Sequence, residues 1–124
     1  MTTPAHAFVA AIAARDEEAL RGSLAPDVDF KGLTPRKLWE ADSPDGVRDV
    51  VLGHWFEEQD RVTAVRDVTE GEVADTARIG YRLELECPDG PYVAEQQAYY
   101  RAGPQGIDYL RIMCSGFRPR VVEP

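Results

Sequence analysis

Hydrophobic positions near the start of the chain recur at the spacing of an α-helix. Phe8, Ala11 and Ile12 share one face of that period. Pro4 suits the first helical turn, where no backbone donor is needed. The pattern predicts a first amphipathic helix that ends near Arg15.

A second, short helix is predicted directly after the first. Asp16 is a suitable N-cap, because its carboxylate can accept hydrogen bonds from the free backbone N–H groups of the first turn. Leu20 and Leu24 share the buried face, and we expect the helix to end near Ala25-Pro26.

The stretch that follows is less regular. Residues 28–30 alternate as a short strand, and Gly32 and Pro35 then interrupt the pattern. Residues 36–39 are predicted to form at most one helical turn, with Trp39 as an anchor.

The strongest helical pattern in the chain begins at Ser43. After it, hydrophobic and aromatic side chains recur at steps of three and four residues: Val47, Val50, Val51, His54 and Trp55. A third helix is predicted here.

From Val62 onward the hydrophobic period changes to two. Residues 62–70 form one predicted strand, and a clearer one follows in which the apolar set alternates with polar residues: Ala77, Ile79, Tyr81, Leu83 and Leu85. Residues 92–101 and 107–114 then form a hairpin across a Gly/Pro turn. Helices followed by long antiparallel strands predict an α+β fold with the helices on one face of a curved sheet.

Size and charge limit the classes of function. A chain of 124 residues predicts a single domain over 1–124. The net charge of −8 and the pI of 4.7 oppose nucleic-acid binding, which depends on cations that meet phosphates. The apolar run 8–14 is too short to cross a bilayer and no Lys or Arg precedes it, so no membrane partner and a cytoplasmic location are expected. Cys87 and Cys114 have no metal-ligand spacing, and we interpret both as reduced thiols with no metal bound.

Three segments resemble the nuclear-transport-factor-like superfamily, which includes ketosteroid isomerase and the SnoaL-like polyketide cyclases. They are residues 24–30, the turn Gly106-Ile107 and the ending 112–117, and the resemblance covers the chain from about Ala5 to Phe117. It implies a cone-shaped curved antiparallel sheet wrapped around three N-terminal helices, with an apolar cavity inside. It also implies a cofactor-independent chemistry, so no cofactor is expected.

The expected cavity wall follows from strand parity. If Leu110, Ile112 and Cys114 face the cavity, the neighbouring strand is predicted to contribute Glu95, Gln97 and Tyr99, and the strand before it Tyr81 and Leu83. A slip of one residue reverses every one of these assignments, and Ala94 and Ala98 fit the cavity side equally well.

Glu95 and His54 are the candidate catalytic residues. In an apolar cone the carboxyl group of Glu95 would have a raised pKa and could move a proton next to a carbonyl. His54 at the cavity mouth could act as a base near neutral pH, although a histidine on an apolar helix face is also often a hydrogen-bonded part of the core.

Aromatic residues could orient a flat ligand. Trp39, Tyr81 and Tyr99 offer ring faces and hydrogen bonds, and core packing would explain the same residues without a ligand. Cys114 next to Ser115 lacks the glycine turn and the cation that would make it a nucleophile.

The resemblance also shows what is missing. Ketosteroid isomerase uses an aspartate base, with a tyrosine and a protonated aspartic acid as oxyanion donors. Gly32 falls about where that base would be, and Gln97 about where the oxyanion acid would be. Gln97 can still donate a hydrogen bond, but the base is absent.

Two functions remain open. The first is a cyclase, isomerase or dehydratase acting on an apolar carbonyl compound, with His54 or Glu95 moving the proton and Gln97 and Tyr99 orienting the carbonyl. The second is a non-catalytic ligand-binding or dimerisation module. An open pocket would favour the enzyme, and a cone filled by Trp39, Trp55 and Phe56 would favour the module.

A homodimer through the outer sheet face is also expected, from the exposed set Val93, Tyr100, Tyr109 and Met113.

Overall fold

The computed structural model describes residues 3–120. Two helices open the chain, α1 (Pro4–Ala14) and α2 (Glu17–Gly22). The predicted starts are confirmed, and the Asp16 side chain accepts a hydrogen bond from the Ala19 backbone N–H at 3.1 Å. Arg15 ends α1 in the left-handed conformation. The predicted end of the second helix is wrong, because Leu24 already belongs to a strand and is buried there.

Seven strands form one curved sheet: β1 (Leu24–Thr34), β2 (Lys37–Ala41), β3 (Arg61–Val73), β4 (Thr76–Cys87), β5 (Gly90–Gly103), β6 (Gly106–Cys114) and β7 (Arg118–Pro119). Their order is β2-β1-β6-β5-β4-β3, and β7 pairs with β5. All neighbours are antiparallel except β1 and β6, which run parallel. The α+β class predicted from the sequence is confirmed.

The helical turn predicted over residues 36–39 is wrong, because this segment belongs to strand β2. Arg36 adopts a left-handed backbone conformation (φ 77°), which closes a tight hairpin after Pro35. The Trp39 indole N–H donates to Thr34 Oγ1 at 2.9 Å across that hairpin. Pairing with β1 therefore outweighs the weak helical pattern.

The third helix begins where it is predicted, but its second part is a π-helix and not an α-helix. Ser43 caps α3 (Pro44–Arg48), and the chain continues as a π-helical segment, Asp49–Trp55. The Arg15 guanidinium donates to the carbonyl oxygens of Leu52, at 2.7 Å, and Phe56. These bonds tie the end of α1 to the end of the π-helical segment.

The helices lie against one face of the sheet, and strand parity decides which side chains meet them. Tyr81, Leu83, Leu110 and Ile112 point to this inner face, as predicted. The parity predicted for β5 is wrong. Its inner set is Ala94, Gln96, Ala98 and Tyr100, and its outer set is Glu95, Gln97 and Tyr99.

The register explains the corrected parity of β5. Ala94 pairs with Leu83 and Gln96 pairs with Tyr81, so each lies beside a buried partner on β4. An ionised carboxylate is costly to bury, whereas alanine is not, and Glu95 therefore faces solvent.

Candidate functional site

The inside of the cone is almost completely filled. Beneath α1 it leaves a cavity of about 10 Å³, which is room for roughly one water molecule. The lining is apolar apart from two phenol groups: Ala5, Phe8, Val9, Ile79, Tyr81, Ala98, Tyr100, Ile107 and Leu110. This cavity is too small for a substrate.

A row of three polar side chains crosses the inner face. Tyr81, Gln96 and Cys114 are direct neighbours on β4, β5 and β6. The Tyr81 phenol donates to Gln96 Oε1 at 2.5 Å, and the Gln96 side chain is fully buried. The row places one hydrogen-bonded pair and one thiol inside an otherwise apolar wall.

The environment keeps Tyr81 protonated. Burial raises the pKa of its phenol well above the usual range, and nearby Cys114 adds to the shift. At neutral pH Tyr81 is therefore a hydrogen-bond donor and not a base.

Two N–H donors inside the cone have no acceptor. Among the described side chains, the buried nitrogens without a hydrogen bond are Trp55 Nε1, Gln96 Nε2 and Arg120 Nε. Arg120 is different from the other two, because another of its nitrogens lies 3.5 Å from a Glu86 carboxylate oxygen at the surface. An unpaired buried donor costs about 1–3 kcal/mol, so the two in the cone require an explanation.

Trp55 fills the part of the cone next to β1. A Cβ atom at Gly32 would lie 2.4 Å from Trp55 Cη2, so the indole uses the space that this glycine leaves. The Phe30 ring packs at a tilt against the indole, with 5.9 Å between ring centroids. The position where the family resemblance places a catalytic base is thus covered by an aromatic ring.

The outer set of β5 lies outside this site. Glu95 accepts a 2.9 Å hydrogen bond from Arg82 and borders an open groove of about 520 Å³ under the C-terminal segment. The Gln97 amide lies over Gly80 and accepts from Arg78 at 3.3 Å. Tyr99 is 38% exposed. None of the three lines the cone.

His54 and Trp39 form a pair at the edge of the core, against which Trp39 packs. His54 is exposed, and its ring lies 5.0 Å from that of the half-buried Trp39. Lys37 lies 3.9 Å from the centre of the same indole. Of the other residues predicted to bind substrate, Tyr81, Ile112 and Cys114 are buried inside the cone.

Gln96 is the residue of the site that the sequence interpretation missed. A signal was present, because its neighbours at alternate positions, Ala94, Ala98 and Tyr100, form the more apolar of the two sets on this strand. A lone polar residue within that set indicates a buried amide.

No family model and no curated protein sequence matches this chain. Solved structures match along nearly its whole length. A putative isomerase of Rhodopseudomonas palustris has a TM-score of 0.74 at 13% identity, covering 94% of this chain and 92% of that one. For a putative polyketide cyclase of Pseudomonas putida the TM-score is 0.65 at 16% identity, with coverage of 90% and 91%.

The chain has the nuclear-transport-factor-like fold. A third match is an LEH-like epoxide hydrolase of M. tuberculosis, with a TM-score of 0.67 at 10% identity and coverage of 90% of this chain and 80% of that one. The fold is thus one found in proteins named as isomerases, cyclases and epoxide hydrolases, and identities this low establish the fold alone.

Two further features concern other classes of function. Within residues 3–120, no cluster of three or more His, Cys, Asp or Glu side chains is arranged to hold a metal ion. The described helices include none with the length and apolar character needed to cross a membrane.

Proposed function

We propose that the cone binds one small apolar molecule that carries a carbonyl oxygen, and that it holds this molecule without transforming it. The observation that supports the proposal is the buried Gln96 amide, whose Nε2 has no acceptor. Its oxygen is already engaged by Tyr81, so the free N–H groups are left for a ligand.

The chemistry of the wall defines the ligand. Side chains around the polar row are aliphatic or aromatic, so they favour an apolar body. A carbonyl oxygen accepts from an amide N–H without introducing a charge, whereas a carboxylate would be buried with no cation beside it. A neutral ketone, aldehyde or ester therefore fits the site.

A reaction on that carbonyl would need a proton acceptor inside the cone. Among the described residues, the buried polar or charged side chains besides the Tyr81 and Tyr100 phenols and the Cys114 thiol are Ser23 and Gln96. Ser23 donates to the Leu20 carbonyl oxygen at 2.7 Å, and Tyr81 stays protonated. Isomerisation, cyclisation and dehydration all require a base, and no carboxylate or imidazole is buried among the described residues.

An enzyme of the cyclase or isomerase type is the second candidate. It is favoured by the fold shared with proteins of those names and by the Gln96 N–H, which would stabilise an enolate oxygen as well as a ketone. Exchange of the α-hydrogens of a bound ketone in D₂O separates the candidates. The protein accelerates that exchange only if a base reaches the ligand.

Matched ligand pairs test the proposed function. The ketones 2-decalone and 2-acetylnaphthalene are compared with decalin and 2-ethylnaphthalene by ligand-observed NMR. In the double variant Tyr81→Phe/Gln96→Leu, affinity for the ketones should fall about fivefold relative to the hydrocarbons, the effect of one net hydrogen bond of about 1 kcal/mol. Gln97→Leu, on the outer face of the same strand, is the control and should leave the ratio unchanged. Failure of both ketones to bind the native chain would exclude the proposal.

A further inference from the structure

We propose that the ligand enters by exchange with the Trp55 side chain, so that a planar aromatic ring of the ligand takes the place of the indole over Gly32. This inference rests on the proposed function and narrows its ligand class. It assigns the site to fused-ring aromatic ketones in preference to saturated ones.

The slot over Gly32 has the shape of a flat ring. The indole approaches the β1 backbone so closely that a single methyl group at residue 32 would be 2.4 Å from Cη2 and 2.6 Å from Cζ2. Phe30 borders the same space with a tilted ring. A planar ligand can make both contacts, whereas a puckered saturated ring is too thick to lie as close to the backbone.

The indole loses no hydrogen bond when it leaves. Trp55 Nε1 has no acceptor inside the cone and would gain water outside. Trp55 also borders an open cleft of about 410 Å³, in which the aromatic side chains of Tyr92 and Phe117 lie beside polar ones that include Glu57, Asp60 and Asp89. Within this mixed lining, the displaced ring can pack against Tyr92 and Phe117.

The exchange requires rotation of the Trp55 side chain and no movement of the backbone. Trp55 is the last residue of the π-helical segment, a conformation that is rare and often found at functional sites. Phe56 follows in an extended conformation, and its N–H bonds to the Val51 carbonyl oxygen at 2.9 Å. Arg15 also holds the carbonyl oxygens of Leu52 and Phe56, so the backbone stays in place while the indole rotates about its own side-chain bonds.

The distance from the slot to Gln96 suits an acylated fused ring. Gly32 pairs with Ile112, which pairs with Ala98, so Gln96 lies two strands away and two residues further along, at roughly 12 Å between backbones. A two-ring aromatic body over Gly32 can thus direct an acyl oxygen towards Gln96 Nε2.

Fluorine NMR of protein labelled with 5-fluorotryptophan tests the exchange. Trp39→Phe identifies which of the two resonances belongs to Trp55. With saturating 2-acetylnaphthalene, the Trp55 resonance should move towards the solvent-exposed position, and its H₂O/D₂O isotope shift should increase. Trp55→Ala should bind this ketone about tenfold more tightly or better, because no ring has to be displaced; engineered cavities of about 150 Å³ bind benzene in this way.

The outcomes separate this inference from the proposed function. If 2-acetylnaphthalene binds while the Trp55 resonance stays buried, the exchange is wrong and the proposed function stands, with entry elsewhere. If 2-decalone binds the native chain as tightly as the planar ketone, the preference for aromatic rings is wrong. If neither ketone binds the native chain, both fail. The fluorine measurement keeps a tryptophan at residue 55, so it still tests the exchange if the Trp55→Ala variant does not fold.

Discussion

The Trp55 indole occupies the space that a side chain at residue 32 would fill. With glycine at this position, the ring packs directly against the backbone of β1, and a Cβ atom would be 2.4 Å from Cη2. Gly32 pairs with Ile112 on one side and Trp39 on the other, so the backbone has little freedom to withdraw. The two residues are therefore a complementary pair.

Gly32→Ala should lower the free energy of unfolding by about 1–3 kcal/mol, the usual cost of overpacking a core. Urea denaturation measures it. Gly53→Ala is the control, because nothing lies within 4 Å of a Cβ atom there. In a Trp55→Ala background the cost of Gly32→Ala should largely disappear. Equal costs in both backgrounds would show that the two residues do not share this space.

The Tyr81–Gln96 pair should show strongly non-additive stability. Tyr81→Phe or Gln96→Leu alone leaves the other partner buried without its hydrogen bond, at a cost of about 1–3 kcal/mol. The double variant replaces both groups by apolar ones of similar shape and should be close to wild type, since it also removes the unpaired Gln96 Nε2. Additive losses in urea denaturation would contradict the assigned hydrogen bond.

Tyr81 should also make the protein sensitive to alkali. The folded state holds the phenol proton because burial raises its pKa, while the unfolded chain releases it near pH 10. More protons are therefore bound in the folded state above pH 10, and stability falls there by up to about 1.4 kcal/mol per pH unit. Below pH 9 the Tyr81 phenol has no effect on the pH dependence of stability.

The Tyr81→Phe variant is the reference for that pH dependence. Cys87, whose pKa burial raises to about 12, and Tyr100 are present in both chains, so their contributions cancel. Unfolding free energies between pH 9 and 11, a range set by these pKa values, should fall more steeply in wild type than in the variant. Parallel curves would mean that the Tyr81 phenol is not buried.

Neither Glu95 nor His54 should affect ligand binding. The Glu95–Arg82 ion pair is exposed, and exposed ion pairs contribute little to stability because water and salt screen them. Glu95→Gln and His54→Gln should change the melting temperature little and ketone affinity less than about twofold, well below the effect of one net hydrogen bond. A large loss of ketone affinity in either variant would show that the substituted residue contributes to the binding site.

Much of the fold could be predicted because its signals are local. The helix starts at Pro4, Asp16 and Ser43 depend on capping chemistry within a few residues, and all three are confirmed. Strand β4 alternates strictly between apolar and polar residues, so the prediction of its buried face was correct. Strand β2 gave no such signal, because its extended form depends on pairing with β1.

The candidate site was harder to predict because it depends on contacts between distant segments. On β5 both parities contain a glutamine and a tyrosine, and only the register with β4 shows that Gln96 and not Gln97 is inside. No pattern in the sequence indicated that side chains fill the cone. The filling requires Trp55 to meet Gly32, two residues far apart in sequence, and the π-helical winding that places Trp55 there has no residue signature.

The outer sheet face remains the proposed dimer interface, with a corrected set of residues. Tyr100 is removed because it points inward. Leu38, Leu33 and Met113 are neighbours across β2, β1 and β6 and are 55%, 45% and 59% exposed. A row of this kind is typical of a contact between copies of a chain.

Light scattering tests the interface. At about 0.1 mM, well above the micromolar constants of weak dimers, we expect the mass of a dimer. Met113→Lys should reduce the measured mass to that of a monomer. Val73→Lys, at the end of the edge strand β3, is the matched control and should not. A monomeric wild-type chain would contradict the proposed interface.

The resonances of the Gln96 side-chain amide test the central claim most directly. They are assigned in ¹⁵N-labelled protein by their absence from the Gln96→Leu variant. Saturation with 2-decalone or 2-acetylnaphthalene should move one Nε2 proton downfield as it bonds to the carbonyl, and decalin should leave it in place. If a ketone binds inside the cone while both amide protons keep their positions, Gln96 is not the group that holds the ligand.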